Sequence, residues 1–281
     1  MKSLIQLSLV LTFICLSQIH AQSIQGEATY KSHRQMKIEL DSSQVNDAMR
    51  QQIMAQLKKQ FEREYTLEFT NYESIYKQVE TLESTPLAGD GMQIVVAGSG
   101  DSDILYTNTK ENRFTNQNEM FGKSFLIKDE LNLPEWELTK ETKNIGDYTC
   151  FKATYTYERD VMRTRVRRDG GDVEETPAEK ESITVSAWYT PQIPVQHGPA
   201  DYQGLPGMIL EVNDAELTLL CSKIVLNPKS GIQIKEPTKG KLVNQEENDK
   251  ILEKKMTEMN ERFEGDGRRE DGNSIEIRIG G

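Results

Sequence analysis

The stretch from Ala187 to Val212, A-W-Y-T-P-Q-I-P-V-Q-H-G-P-A-D-Y-Q-G-L-P-G-M-I-L-E-V, restricts the fold more than any other part of the chain. It carries four of the nine prolines, Pro191, Pro194, Pro199 and Pro206, with Gly198, Gly204 and Gly207 between them. Each proline fixes its own φ, removes a backbone donor and drives the preceding residue out of the helical region. Helix is excluded, and so is a central strand. What remains is a stiff, extended segment entered from one strand, Ser182–Tyr189, and left through another, Met208–Val212. Leu205-Pro206-Gly207-Met208 places proline second and glycine third, the type II arrangement, which predicts a positive φ at Gly207.

The pattern A-W-Y-T-P-x-I-P-V-x-x-G-P-x-x-Y followed by G-L-P-G-M-I-L resembles the GLPGLI family of secreted Bacteroidetes proteins, which is named after this motif. Pro191, Pro194, Gly198, Pro199, Gly204, Leu205, Pro206 and Gly207 carry the likeness, and I-G-D-Y-T-C-F-K-A at Ile145–Ala153 extends it. It is dense over Trp136–Val212 and thin elsewhere. Met208 replaces the last leucine, a volume-conserving change. The resemblance implies an exported protein and brings no established activity with it.

The N-terminus agrees with export. Lys2, the apolar run Leu4–Leu16 and a small residue at Ala21 read as a signal peptide over residues 1–21. That run is too short and too interrupted to span a membrane, and no other segment approaches membrane length. A small residue does not precede Cys15, as a lipid-attachment site would need. Removing the leader takes away Lys2 and no acid, so the formal charge goes from −11 to −12. Such a balance argues against nucleic acid or an anionic membrane surface as partner. Cys150 and Cys221 remain, either as a disulfide in an oxidising compartment or as two small buried fillers.

Hydrophobic periodicity predicts the elements. Val45, Met49, Ile53, Leu57 and Phe61 recur every four residues, an amphipathic helix with one buried side. Leu252, Met256, Met259 and Phe263 give a second apolar stripe. Many short alternating runs between them read as strands. Arg159–Ser182, with arginines before Gly170-Gly171 and acids after it, reads as a charged hairpin. The expected fold class is α+β, mainly antiparallel β: a curved sheet or half-barrel with amphipathic helices packed on it. The expected organisation is a signal peptide at 1–21, one GLPGLI-type domain at 22–264 and a charged, glycine-containing tail at 265–281. Ile275, Ile277 and Ile279 in that tail alternate as an edge strand would.

Catalytic motifs are scarce. There is no H-E-x-x-H and no C-x-x-C, and Gly122-Lys123-Ser124 lacks the earlier glycine of a phosphate-binding loop. No cofactor or metal is therefore expected. Beyond residue 21 the histidines are His33 and His197. The candidate binding residues are Trp188, Tyr189, His197 and Tyr202, which either anchor a stiff crossover or line a groove. His197 reads as an exposed loop histidine. The alternative makes it the centre of an exported hydrolase or metal-handling site with Asp201, Glu211 or a cysteine. The leading reading is a non-catalytic envelope protein whose partner is an unidentified ligand or another envelope protein.

Overall fold

The structure is a computed structural model of the 281-residue chain, described here over residues 24–34, 62–79, 103–161, 179–215 and 217–266. The first strands are β1 Gly26–Arg34, β2 Arg63–Phe69, β3 Glu73–Gln78, β4 Ile104–Asn108, β5 Arg113–Met120 and β6 Lys123–Glu130. Next come β7 Glu137–Ile145, β8 Tyr148–Val161, β9 Glu179–Thr190, β10 Met208–Asp214 and β11 Leu217–Leu226. A short β12, Lys241–Val243, precedes a helix, α1, at Gln245–Asp266.

All twelve strands form one sheet in the order β12-β6-β5-β4-β3-β2-β1-β11-β10-β9-β8-β7. Two antiparallel meanders, β1–β6 and β7–β11, meet where β1 pairs with β11. β12 closes the other side of β6 in parallel. Among the described residues the protein is thus almost wholly β, which corrects the α+β expectation of amphipathic helices packed on a sheet.

The helix shows why the correction arises. It starts with a capping box: Asn244 Oδ1 accepts from the Glu247 N–H at 2.8 Å, and Glu247 Oε2 accepts from the Asn244 N–H at 3.2 Å. Asn248 is buried, and Ile251 packs against Phe125, Ile127 and Val243. Beyond that turn Leu252 and Met256 are 40% and 51% exposed. The helix begins at the β12 edge, and among the described residues no strand lies beyond that edge to cover its apolar stripe. The predicted Val45–Phe61 helix and the Ile275–Ile279 strand lie outside the described residues. The charged hairpin is seen at its base, where Arg159 pairs with Glu181 at 3.3 Å and Lys180 with Glu158 at 3.2 Å.

Chain connectivity forces the sheet to coil. β6 and β7 lie ten strand positions apart in the order, roughly 48 Å on a flat sheet at a spacing of about 4.8 Å. Residues 131–136 alone connect them, and six residues reach about 25 Å at most. The two meanders must therefore curve toward each other. The link seals part of the opening: Trp136 Nε1 donates to the Gln203 carbonyl at 2.9 Å, and Leu133 packs on Gly204. A second long connection, residues 227–240, runs from β11 to β12. It is pinned at Glu236, whose Oε1 accepts from Thr115 at 2.6 Å, Lys128 at 2.8 Å and Arg113 at 3.0 Å. Burial raises the Glu236 carboxyl, but these donors outweigh it and bring its pKa down to about 2.

The crossover between β9 and β10, residues 191–207, fills the space this coiling creates. Ile193 and Val195 join Ala28, Tyr30, Leu67 and Phe69 in one buried cluster. Tyr202 and Leu205 join Ala153, Val185, Ala187 and Leu219 in another. The first cluster includes residues of the N-terminal meander and the second residues of the C-terminal one, so one segment is packed by both. Backbone bonds hold it: the Met208 N–H donates to the Ile193 carbonyl at 3.0 Å and the Ile209 N–H to the His197 carbonyl at 3.1 Å. Tyr30 crosses from β1 to donate to the Ile209 carbonyl at 2.7 Å.

Close approach, rather than handedness, explains the motif glycine. Gly207 is not among the residues with positive φ, so the type II turn is corrected. Its N–H instead donates to the Leu205 carbonyl at 2.8 Å, a three-residue turn centred on Pro206. A Cβ at Gly207 would lie 2.3 Å from the Thr190 carbonyl oxygen. Positive φ in the segment falls instead on Ala200, at 51°, and on Gly204, at 93°. Gly207→Ala should therefore cost on the order of 3 kcal/mol by forcing backbone apart. Gly122→Ala, where φ is +70° and a Cβ meets nothing within 4 Å, should cost about 1 kcal/mol. Urea titration of both variants checks the ranking, and equal midpoints would contradict the close-approach account.

Candidate functional site

The crossover is extended, so its side chains alternate. Ile193, Val195 and His197 point into the core, while Pro194 and Gln196 stay exposed. His197 is therefore the third inward residue of the run and is 0% exposed, not the exposed loop histidine expected. Its Nε2 lies 3.1 Å from the Thr70 carbonyl oxygen. A carbonyl can only accept, so Nε2 carries the proton and donates. Nδ1 is buried and has no partner among the described residues. Phe69 flanks the ring at 6.4 Å. Burial holds the imidazole pKa down at about 4, against a smaller upward effect of the Thr70 bond.

The thiols are equally enclosed. Cys150 and Cys221 are both free, and both belong to the first buried cluster. Burial raises them to about 11 and about 12 respectively. Thiolate is the nucleophile and the metal ligand, so neither sulfur is poised for those roles at neutral pH. Among the described residues no three His, Cys, Asp or Glu side chains come together as a metal would need. His197 thus has none of the acid, thiol or hydroxyl partners that a general base requires.

A different group assembles around the middle of the crossover. Asp214, at the end of β10, accepts hydrogen bonds from Tyr202 at 2.6 Å and from Tyr157 at 3.0 Å. Tyr157 is 6.1 Å from Tyr155, and Tyr155 meets Trp136 edge to face at 4.8 Å with the planes 88° apart. Trp136, Tyr155, Tyr157 and Asp214 are half-buried, and Asp201 is exposed. Ala200, just before it, has a left-handed φ of 51°, a strained setting for a residue with a Cβ.

Asp201 combines solvent access with surrounding protein. Its carboxyl is raised above the usual range, first by the protein around it and then by repulsion from Asp214. Solvent access makes that rise smaller than full burial would. The charge of Asp201 also helps raise Tyr76 on β3 and Tyr155, Tyr157 and Tyr202 beside it, in each case after burial itself. Asp201, one position before Tyr202, is thus the exposed member of this group, here called the mouth.

Tyr202 is itself buried, and of the four expected binding residues it alone joins this group, through its hydroxyl on Asp214. Tyr189 is buried beneath it against Phe151 at 6.1 Å, and His197 is core. Trp188 alternates to the opposite face of β9, under Lys143 at 4.3 Å and Lys152 at 6.0 Å. Lys143 is in turn bound to Glu211 at 2.6 Å. Trp136, Tyr155, Tyr157 and Asp214 were not singled out as site residues. The tyrosines carried a strand signal, but nothing in sequence places Asp214 against them. An open cleft of about 360 Å³ lies elsewhere, with Arg113, Phe114, Lys128 and Asp129 among its walls. Its Arg113 and Lys128 are already engaged by Glu236.

Residues 136–211 match the model of a family described as "Protein of unknown function (Porph_ging)". The matched region contains the whole crossover and most of the mouth. None of the curated proteins matches the chain. Two solved structures of PNGF-II, in the P21 and C2 space groups, overlap with 79% of this chain at a TM-score of 0.43 and 13% and 12% identity. The chain spans 31% of the length of those relatives. Likeness at this level settles neither fold nor activity.

The buried imidazole predicts a pH dependence. Its pKa is about 4 folded and near 6.5 unfolded. Between those values the unfolded chain takes up a proton that the folded chain refuses, so stability falls with pH and levels off below 4. The loss amounts to roughly 3 kcal/mol. His197→Gln keeps a donor for Thr70 and cannot titrate. Denaturant midpoints between pH 7 and 4 should therefore decline less steeply in the variant than in the native protein. Parallel curves would mean that His197 is not held neutral.

Proposed function

We propose that this chain is an exported cell-envelope protein that binds another molecule without transforming it, and that it is a GLPGLI-type protein. The observation that carries the reading is one linked group: Asp214 bonded by Tyr157 and Tyr202, Trp136 and Tyr155 half-buried beside them, and Asp201 exposed next to Tyr202. Aromatic walls around a few directed polar groups are the ordinary construction of a binding site. Its polar groups, two carboxylates and three tyrosine hydroxyls raised by burial and by acids, suit recognition better than proton transfer at neutral pH. Among the described residues no helix is long and apolar enough to cross a membrane. In this reading Asp201, Tyr155 and Tyr157 face ligand, while Tyr189, Tyr202 and His197 brace the floor. The leader at 1–21, the 22–264 domain and the 265–281 tail stand as the proposed organisation.

The test uses protein recovered from its own cells. Intact mass spectrometry should find the chain starting at Gln22 in the envelope or secreted fraction. Native mass spectrometry should find a specific adduct that Tyr157→Ala removes while the fold is kept. A cytosolic chain retaining Met1 would overturn export. A ligand-free protein across preparations, or an adduct indifferent to Tyr157, would overturn the assignment of the mouth.

A further inference from the structure

The apolar stripe of α1 is not the side that packs on the sheet. Asn248 is buried, and Ile251 packs on the cluster of Phe125, Ile127 and Val243. Lys255 and Glu258 continue that row, half-buried and paired with each other. Leu252 and Met256 are exposed instead. At 3.6 residues per turn they lie about 100° around the helix from the packed row. Beyond Ile251 the packed row is therefore charged, and the apolar row faces outward. An amphipathic helix that belongs wholly to one domain shows the reverse.

The spacing of the stripe says what covers it. Leu252 and Met256 are four residues apart, and the sequence runs on to Met259 and Phe263 in steps of three and four. Alternating steps of four and three keep a row straight, as the a and d positions of a heptad do, so that it meshes with a second helix. A lipid surface asks for a broader apolar arc. Glu253 and Lys255 border the row with opposite charges, so two copies meet there without the repulsion that their net charge of −11 imposes elsewhere. Among the described residues α1 is the sole helix, and the matching ridge is its own stripe on another copy. The approach is open, because α1 follows β12, the last strand of the sheet.

We infer that the chain self-associates through α1, the Leu252–Met256 stripe of each copy meshing with the same stripe of the other. Such a contact uses one patch twice about a two-fold axis, so it closes as a dimer rather than growing into a filament. The row is short, and the dimer is accordingly a weak one that forms where the protein is concentrated.

The experiment is sedimentation velocity on the chain expressed in its own host, from micromolar to submillimolar concentration. A monomer–dimer equilibrium is expected. Leu252→Gln combined with Met256→Gln should weaken association at least about tenfold. In dilute, monomeric solution its urea midpoint should equal that of the native protein, since neither side chain is packed within one copy. Met256→Cys should form an intermolecular disulfide on mild oxidation, and Lys254→Cys, on the opposite side of the helix, should not. The native thiols are buried and stay out of that reaction. Four results would overturn the inference. They are a native protein that stays monomeric throughout, a dimer that the double variant leaves unchanged, and a monomer that floats with lipid vesicles through this stripe. The fourth is a dilute variant that unfolds at lower urea, which would set the stripe against its own chain.

Discussion

The packing of one proline-rich segment inside a coiled sheet is the interaction on which the rest depends. A twelve-strand sheet whose sixth and seventh strands are joined by six residues cannot lie flat, and once coiled it encloses space that must be filled. Residues 191–207 fill it from both sides, with Ile193 and Val195 against the first meander and Tyr202 and Leu205 against the second. An irregular segment in a core carries backbone groups that need partners. The prolines reduce their number by removing donors. The Ile193, Gln196 and His197 carbonyls accept from Met208, Gly204 and Ile209, so the segment is bonded largely to itself and to its own exit strand. Rigidity follows from composition, because proline lowers the entropy lost when such a segment is ordered.

That rigidity links fold to site. Midway along the crossover a strained residue, Ala200, is followed by Asp201, which reaches solvent, and Tyr202, which does not. The floor beneath contains the groups a catalytic reading would have used. His197 is spent on a backbone carbonyl, and both thiols are held protonated by burial. What reaches solvent is aromatic and acidic. Function is therefore sought at the mouth, where Asp201 and Tyr202 of the motif meet Tyr157 and Asp214 outside it.

The local part of this architecture was legible in the sequence. Alternation marked the strands, charges marked the hairpin at Arg159 and Glu181, and proline spacing marked the crossover as extended. The inward position of His197 was also readable, since it continues the alternation of Ile193 and Val195. Long-range facts were not readable. Nothing local announces that β1 pairs with β11, and without that pairing neither the coil nor its filled interior can be inferred. The helix at Gln245–Asp266 was readable but its packing was not, because periodicity reports an apolar stripe, whereas burial depends on what stands opposite it. Gly207 was singled out for the wrong reason: glycine serves handedness and close approach alike, and only the Thr190 carbonyl 2.3 Å from its would-be Cβ separates them. Asp214 could not be found at all, because its partners Tyr157 and Tyr202 are distant in sequence.

The central claim is that the crossover is core to both meanders. Native-state hydrogen exchange measures it most directly, through the amides of Met208 and Ile209, which donate to Ile193 and His197. If the segment is core, these amides exchange only by global unfolding, with the same free energy as the most protected amides of β1 and β2. Exchange of Met208 and Ile209 by a local opening, orders of magnitude faster while β1 and β2 stay protected, would contradict it.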